Sequence, residues 1–334
     1  MNTRWLVTWI AALAITLSGW LGFETFWRAQ GYKPTVMDSF DLWSQMRARA
    51  SRGSPSAPPE RVALLGASRI QYGLAPAVFR DEAMQLGRDV DAIMLAVNGH
   101  YPLAALRDLS NDDVFKGIAI VGIDSRGFNP AWREMQQKYA DYFHKEFSPA
   151  RAVHRRALTQ VQLHAIATRP DFAIITLAKR YLNGHGAPQK EYVTFTRDRA
   201  GATMYEGSNI QAIRDARVND LRSSYRDTPM PAPAEWLKAN GDIIEWVKRI
   251  NARGGKVVFY REPVSGEHLK LDEANFPREK MWDELAKIIP ATMIDFQDHP
   301  SLNIDTPDTS HIDAKDIDRH TRALVRVLRT KGIL

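Results

Sequence analysis

Short apolar runs alternate with amphipathic stretches along most of this chain, and that alternation sets its fold class. RVALLGAS (61–68), DAIMLAV (91–97), GIAIVGI (117–123) and GKVVFY (255–260) are apolar at successive positions. Such runs predict strands buried on both faces. ATMIDF (291–296) is a weaker fifth candidate. Between these runs, Pro76–Leu86, Ala234–Ala252, Pro277–Ile289 and Ala314–Leu328 carry the spacing of helices packed on one side, and a further helix is expected after Pro102. Strands joined through helices predict an α/β protein of three layers, with a mostly parallel sheet covered on both faces. Loops beyond the carboxyl ends of the strands are then the working surface. Ser68, Asn98, Asp124, Glu262 and the Asp308–His311 pair all follow apolar runs and are expected to converge there.

Two stretches break the alternation. The interval 124–254 is too long for one crossover and predicts a long helical insertion containing a cap. Within it, QVQLHAIATRPDFAIITLAKRYL (160–182) offers apolar surface, either to pack against its own sheet, to cover a groove or to meet a membrane partner. YVTFTRDRAGATMY (192–205) reads as a hairpin or an irregular excursion. The other break is at the amino-terminal end, where Trp5 to Phe23 carries no charge. At helical rise this run nearly spans a bilayer core, with Trp5, Trp9, Trp20 and Trp27 placed toward the interfaces. Its length, and the position of Ala12-Leu13-Ala14 inside it, favour a retained transmembrane anchor over a cleaved signal sequence. Arg4 weakly favours an inside amino terminus, although Arg28 and Lys33 on the far flank offset that signal.

The organisation that follows is an anchor with its cytoplasmic start (1–27), a juxtamembrane connector (28–60) and one α/β domain (61–330), the insertion lying within 124–254. The connector holds a short helix around Phe40–Arg49 and ends in the linker SRGSPSAPPE. The coherent location is the bacterial inner membrane, single-pass, with the domain in the periplasm. An apolar content of 44 % suffices for a sizeable core, and a cysteine count of 0 excludes disulfides and thiolate catalysis. The net charge of +6 suits anionic glycans or phospholipid headgroups, though a solvated basic surface accounts for it equally well. Zinc-finger spacing, RNA-binding aromatic motifs and basic repeats are all missing, so no nucleic-acid role is expected.

Candidate chemistry lies at the two ends of the α/β domain. Ser68 closes the first strand, and Asp308 and His311 sit in TPDTSHIDAKD before the last helix. Serine, histidine and aspartate are the nucleophile, base and orienter of acyl transfer. Gly66-Ala67-Ser68 and Asp308-Thr309-Ser310-His311, in that order and over residues 60–330, resemble the serine and Asp-x-x-His blocks of the SGNH, or GDSL-like, hydrolase superfamily. Ala67 stands where that family usually has Asp, and the asparagine of its third block is absent near Gly122–Ser125. The resemblance implies a three-layer SGNH-like fold and catalytic roles for Ser68, Asp308 and His311. It also implies oxyanion donors near Asn98 and Gly99.

Membrane-tethered proteins of this kind resemble accessory O-acetyltransferases of polysaccharide acylation systems. The implied function is therefore serine-dependent O-acetylation of a periplasmic or exported polysaccharide through an acyl-enzyme. A carbohydrate esterase or deacetylase, and a noncatalytic accessory subunit of a biosynthetic complex, are the alternatives. The implied partners are a glycan acceptor and a multispanning membrane O-acyltransferase. No bound cofactor is expected, an acetyl or other acyl donor being a substrate.

Further candidates for oxyanion or substrate binding are Arg69, Asp124, Arg126, Glu262 and His268. Arg69 suits an anionic substituent or orientation of the serine loop. Asp124 and Arg126 are placed to shape the pocket, and Glu262 and His268 lie in a loop after the fourth strand. His299 and Asp305 lack a metal-ligand spacing. Asp313 and Asp316 read as helix-starting charges.

Overall fold

The computed structural model describes residues 3–52, 59–188, 193–229 and 231–334, so most of the expected linker lies outside the described residues. In chain order, α1 (Thr3–Ala29) and α2 (Phe40–Ala50) precede β1 (Glu60–Leu65), α3 (Ser68–Gly73) and α4 (Pro76–Gln85). Next come β2 (Val90–Met94), α5 (Leu103–Ser110) and β3 (Ile118–Gly122). The long interval carries α6 (Gln137–Lys145), α7 (Pro149–Gln162), α8 (Ile174–Leu182), β4 (Val193–Phe195) and β5 (Gly201–Thr203). It ends with α9 (Ile210–Asp227), α10 (Pro233–Ala239) and α11 (Gly241–Ala252). Then follow β6 (Lys256–Arg261), α12 (Gly266–Asn275), α13 (Trp282–Ile288), β7 (Thr292–Asp295) and α14 (Ile317–Thr330).

The five apolar runs form one sheet in the order β2-β1-β3-β6-β7, parallel at every junction. Successive side chains of a strand face opposite ways, so each run must be apolar throughout to serve two cores. Ala63, Leu65, Ala119, Val121 and Phe259 pack on one face against Trp43, Leu106, Leu109, Val247, Ile250 and Leu285. Val62, Leu64, Ile118, Ile120 and Tyr260 pack on the other against Phe79, Ala83, Leu324, Val325 and Leu328. The result is a three-layer α/β fold with a long helical insertion. β1 has β2 on one side and β3 on the other, so the winding reverses there and opens a crevice beyond the carboxyl ends of β1 and β3.

Two predicted helices are interrupted. Ala234–Ala252 divides at Asn240, whose side-chain amide donates to the Trp236 carbonyl at 2.8 Å and competes locally with the helix ladder. Within Pro277–Ile289, a 3₁₀ turn at Arg278–Lys280 precedes an α-helix that begins only at Trp282. The hairpin expected within 192–205 forms as the antiparallel pair β4–β5. Arg199 sits in its turn at φ 64°, fully buried. Its guanidinium donates to both carboxylate oxygens of Asp38 and to the carbonyls of Met94 and Ala96. The insertion is thereby tied to the connector and to the end of β2.

α1 is the one described helix long and apolar enough to cross a membrane. Its uncharged stretch ends at Glu24, whose carboxylate is buried and accepts the N–H groups of Ile166 (3.0 Å) and Ala167 (2.9 Å). Beside that clamp, Phe23, Trp27 and Tyr32 pack with Ile166, Phe172 and Leu177. Part of the apolar material at 160–182 therefore covers the end of α1.

Candidate active site

β1 stops at Leu65, and the chain turns through Gly66 and Ala67 into α3, whose first residue is Ser68. Amides in the first turn of a helix have no partner within it, so the Ser68 and Arg69 N–H groups lie at an electropositive helix start. The 308–311 block lies between β7 and α14. There Thr309 adopts φ 72°, a left-handed conformation that disfavours β-branched side chains. Surrounding bonds hold it: its N–H donates to the Thr306 carbonyl at 2.7 Å, and its carbonyl accepts from Ser265 N–H at 3.0 Å. Asp308 Oδ1 consequently accepts the N–H groups of Ser310 (2.9 Å) and His311 (2.6 Å).

A hydrogen-bonded chain results. His311 Nδ1 is 3.0 Å from Asp308 Oδ2, and His311 Nε2 is 2.8 Å from Ser68 Oγ. With the Nδ1 proton on the Asp308 side, Nε2 is left to accept from the serine hydroxyl. α9 adds a contact: Arg217 Nε donates to Asp308 Oδ2 at 2.5 Å. Burial raises the Asp308 pKa, but the His311 hydrogen bond and the His311 and Arg217 charges outweigh it and hold the carboxyl well below its ordinary range. Burial depresses the His311 pKa, with Arg217 adding to the effect and Asp308 opposing it. The ring is therefore neutral at pH 7 and able to act as a base.

A second arm faces the same space. Arg69 donates to Asp124 Oδ2 at 2.8 Å, while Asp124 Oδ1 caps the following 3₁₀ turn through Gly127 N–H, also at 2.8 Å. The Arg126 guanidinium lies over the rings of Tyr101 and Tyr225, at 5.6 and 5.5 Å. At the end of β3 a Cβ on Gly122 would lie 2.0 Å from Cγ1 of buried Ile70 and 2.3 Å from Glu262 Oε1, so only glycine fits between them. Burial pushes the Glu262 carboxyl up to about 7 against the pull of Arg69. Asp272, which accepts a hydrogen bond from the Tyr225 hydroxyl, is raised by burial to about 6. His268 is depressed to about 3, first by burial and then by Arg69.

Between the two arms lies a pocket of about 210 Å³, which Asp272 and Tyr225 do not line. Of the residues singled out from sequence, Ser68, Arg69, Gly99, Asp124, Arg126, Glu262, His268 and His311 line it. Asp308 stands behind His311. Asn98 is exposed and does not line the pocket, its N–H donating to Gln71 Oε1 at 2.8 Å. Gly99, at φ 71°, presents backbone instead. Sequence reasoning missed Tyr101, Arg217, Asp220 and Leu221, which complete the wall. The last three belong to α9, so the insertion does reach over the site. The apolar pattern assigned no element to this part of the insertion, and Leu221 is the one residue of α9 that is buried. His299 and Asp305 lie away from the pocket, and among the described residues no three His, Asp or Glu side chains converge as metal ligands. Asp313 accepts Lys315 N–H and caps the 3₁₀ turn leading into α14. Compared with protein-family models and with curated proteins, the chain matches none.

Proposed function

We propose that this protein is a membrane-anchored serine acyltransferase of SGNH type that transfers a short acyl group, acetyl above all, to a glycan hydroxyl on the periplasmic side of a bacterial inner membrane. The observation carrying this reading is the chain Ser68 Oγ–His311–Asp308, with links of 2.8 and 3.0 Å, opening on a pocket at the winding reversal of the sheet. The order of the serine and Asp-x-x-His blocks and their resemblance to that superfamily add support. α1 supplies the anchor.

The chemistry has two halves. Ser68 Oγ attacks the donor carbonyl carbon as His311 Nε2 takes its proton. The bond to the donor's leaving oxygen or sulfur then breaks, and that atom takes the proton from His311. In the second half a sugar hydroxyl gives its proton to His311 and attacks the acyl-serine; the acyl–Oγ bond breaks, and Ser68 Oγ takes the proton back from His311. Asp308 holds the imidazole tautomer and stabilises the imidazolium. The Ser68 and Gly99 N–H groups are the proposed donors to the developing oxyanion. A pocket of about 210 Å³ is smaller than the roughly 300–1,000 Å³ of sites that enclose drug-sized ligands, which favours a short acyl group. Delivery of that group by a multispanning membrane partner fits the anchor.

The test is purified protein with an activated acetyl ester and candidate glycans, wild type beside Ser68→Ala. The expected result is an acetyl adduct on the wild-type Ser68 peptide, acetylated glycan only when acceptor is present, and loss of about 10⁶-fold in kcat on substitution. Turnover retained by Ser68→Ala would sink the nucleophile. Acetate release without glycan transfer would make the protein an esterase, and no adduct with any donor would leave an accessory subunit.

A further inference from the structure

The most exposed apolar side chains outside α1 lie on one short helix beside its end. Ile174 is 81 %, Ile175 70 % and Leu182 85 % exposed, more than any other described large apolar residue outside α1. On α8, Ile174, Ala178, Tyr181 and Leu182 recur at i, i+4, i+7 and i+8, with Ile175 widening the same stripe. Leu177, at the edge of that stripe, is buried against the α1 cluster. No acid interrupts the helix, and Lys179 stands exposed on its flank. A helix that leaves four large apolar groups in water gains nothing from folding that way unless another phase receives them.

Its position identifies that phase. The Glu24 carboxylate holds α1 to Ile166 and Ala167 through two backbone N–H groups. Arg28 reinforces the junction by donating to the His164 carbonyl at 2.8 Å. Phe172, between those residues and α8, packs on Trp27 with ring centroids 4.9 Å apart. α8 is thus fixed to the last turn of the helix read as the anchor, where a membrane-spanning segment leaves the hydrocarbon. Leu177 joins α8 to the cluster around Trp27, and the exposed apolar residues of α1 run to Phe26, one position before it.

We propose that α8 is a second membrane contact: an interfacial helix that lies in the lipid headgroup layer, burying Ile174, Ile175, Tyr181 and Leu182 among the upper acyl chains with Lys179 toward anionic headgroups. This rests on the reading of α1 as a membrane anchor. With α1 and α8 both engaged, the domain cannot swing freely on a single helix, and its pocket keeps a set orientation to the bilayer.

The chain contains no cysteine, so single cysteines label uniquely. Full-length Leu13→Cys, Ile175→Cys, Leu182→Cys and Ile288→Cys variants, each carrying an environment-sensitive fluorophore, would be reconstituted into phosphatidylcholine–phosphatidylglycerol vesicles with or without brominated acyl chains. Ile288 is an exposed residue of α13, the helix that leads into the edge strand β7. The expected result is bromine quenching at 13, 175 and 182 and none at 288. Quenching at 13 alone overturns the interfacial helix and leaves the anchor standing. A blue-shifted probe at 175 or 182 that bromine does not quench also overturns it, since protein would then cover the stripe. Equal quenching at 288 overturns it as well, as indiscriminate adsorption. Absence of quenching at 13 refutes the anchor reading itself, and this inference with it.

Discussion

The pocket has two walls, each built around a histidine with a carboxylate close by, and they handle charge in opposite ways. On one wall, Asp308 is fully buried yet accepts two backbone N–H groups, an imidazole and an arginine, so it stays ionised. On the other, Asp272 has one tyrosine hydroxyl, and His268 Nε2 is 3.6 Å from it, beyond a hydrogen bond. Burial then decides: Asp272 rises to about 6 and Glu262 to about 7, while His268 falls to about 3. Flanking one pocket does not make these residues equivalent. A histidine can shuttle a proton when its carboxylate is hydrogen-bonded to it and held charged, whereas desolvated His268 stays neutral without such a partner and shapes the wall.

The sharpest way to break this comparison is to neutralise each acid in turn. Asp308→Asn should lower kcat by about 10⁴-fold, because the imidazole loses its orienting anion and takes the wrong tautomer. Asp272→Asn should stay within about tenfold of wild type, since the Tyr225 hydroxyl can still donate to the amide oxygen. Steady-state kinetics on an activated ester reads both, and similar losses would mean that the two walls share the chemistry.

Glu262 tests the second wall through stability. Its folded pKa of about 7 lies above the ordinary 4.5, so between those values the folded state holds a proton that the unfolded chain has released. Stability must fall as pH rises through that window and level off above it. Glu262→Gln removes the fall, so the variant should gain on wild type at pH 8 relative to pH 4 by at most about 3 kcal/mol, read by denaturant unfolding. An unchanged difference between the two pH values would mean that Glu262 ionises freely.

Arg217 tests the first wall from outside. Its positive charge depresses the His311 pKa, and the proposed mechanism requires the neutral ring. Arg217→Gln should therefore move the acid limb of the kcat/KM profile to higher pH. The loss should be greatest below neutrality, about tenfold, with recovery toward wild type in alkali. A uniform loss at every pH would mark Arg217 as a substrate contact rather than a positioning residue.

What was legible in the sequence follows from how local each signal is. The two-faced apolar runs announced the parallel sheet because a doubly covered strand has no polar positions to spare. Ser68, Asp308 and His311 could be read because each lies in a block of four residues or fewer at a strand end or before a helix. Arg217 could not be, because it meets Asp308 across 91 positions, and nothing local to a polar stretch of the insertion names the residue that will reach a distant loop. The break at Asn240 escaped for a related reason: one side-chain amide turned back on its own helix within an otherwise continuous apolar period.

Asn98 carries the smallest expected effect and the finest distinction. As a side chain it was a candidate oxyanion donor, yet it is exposed, while Gly99 beside it lines the pocket with its backbone at φ 71°. Loss of an oxyanion donor costs about 10²–10³-fold in kcat, whereas removal of an exposed turn amide leaves rate nearly intact. Asn98→Ala should therefore remain within about threefold of wild type in single-turnover acylation. Gly99→Ala meets no atom within 4 Å of the new Cβ, so its cost is the left-handed backbone alone, roughly 1 kcal/mol. A hundredfold loss from Asn98→Ala would reverse the assignment, because the amide would then have to swing into the pocket during acylation and replace the backbone as donor.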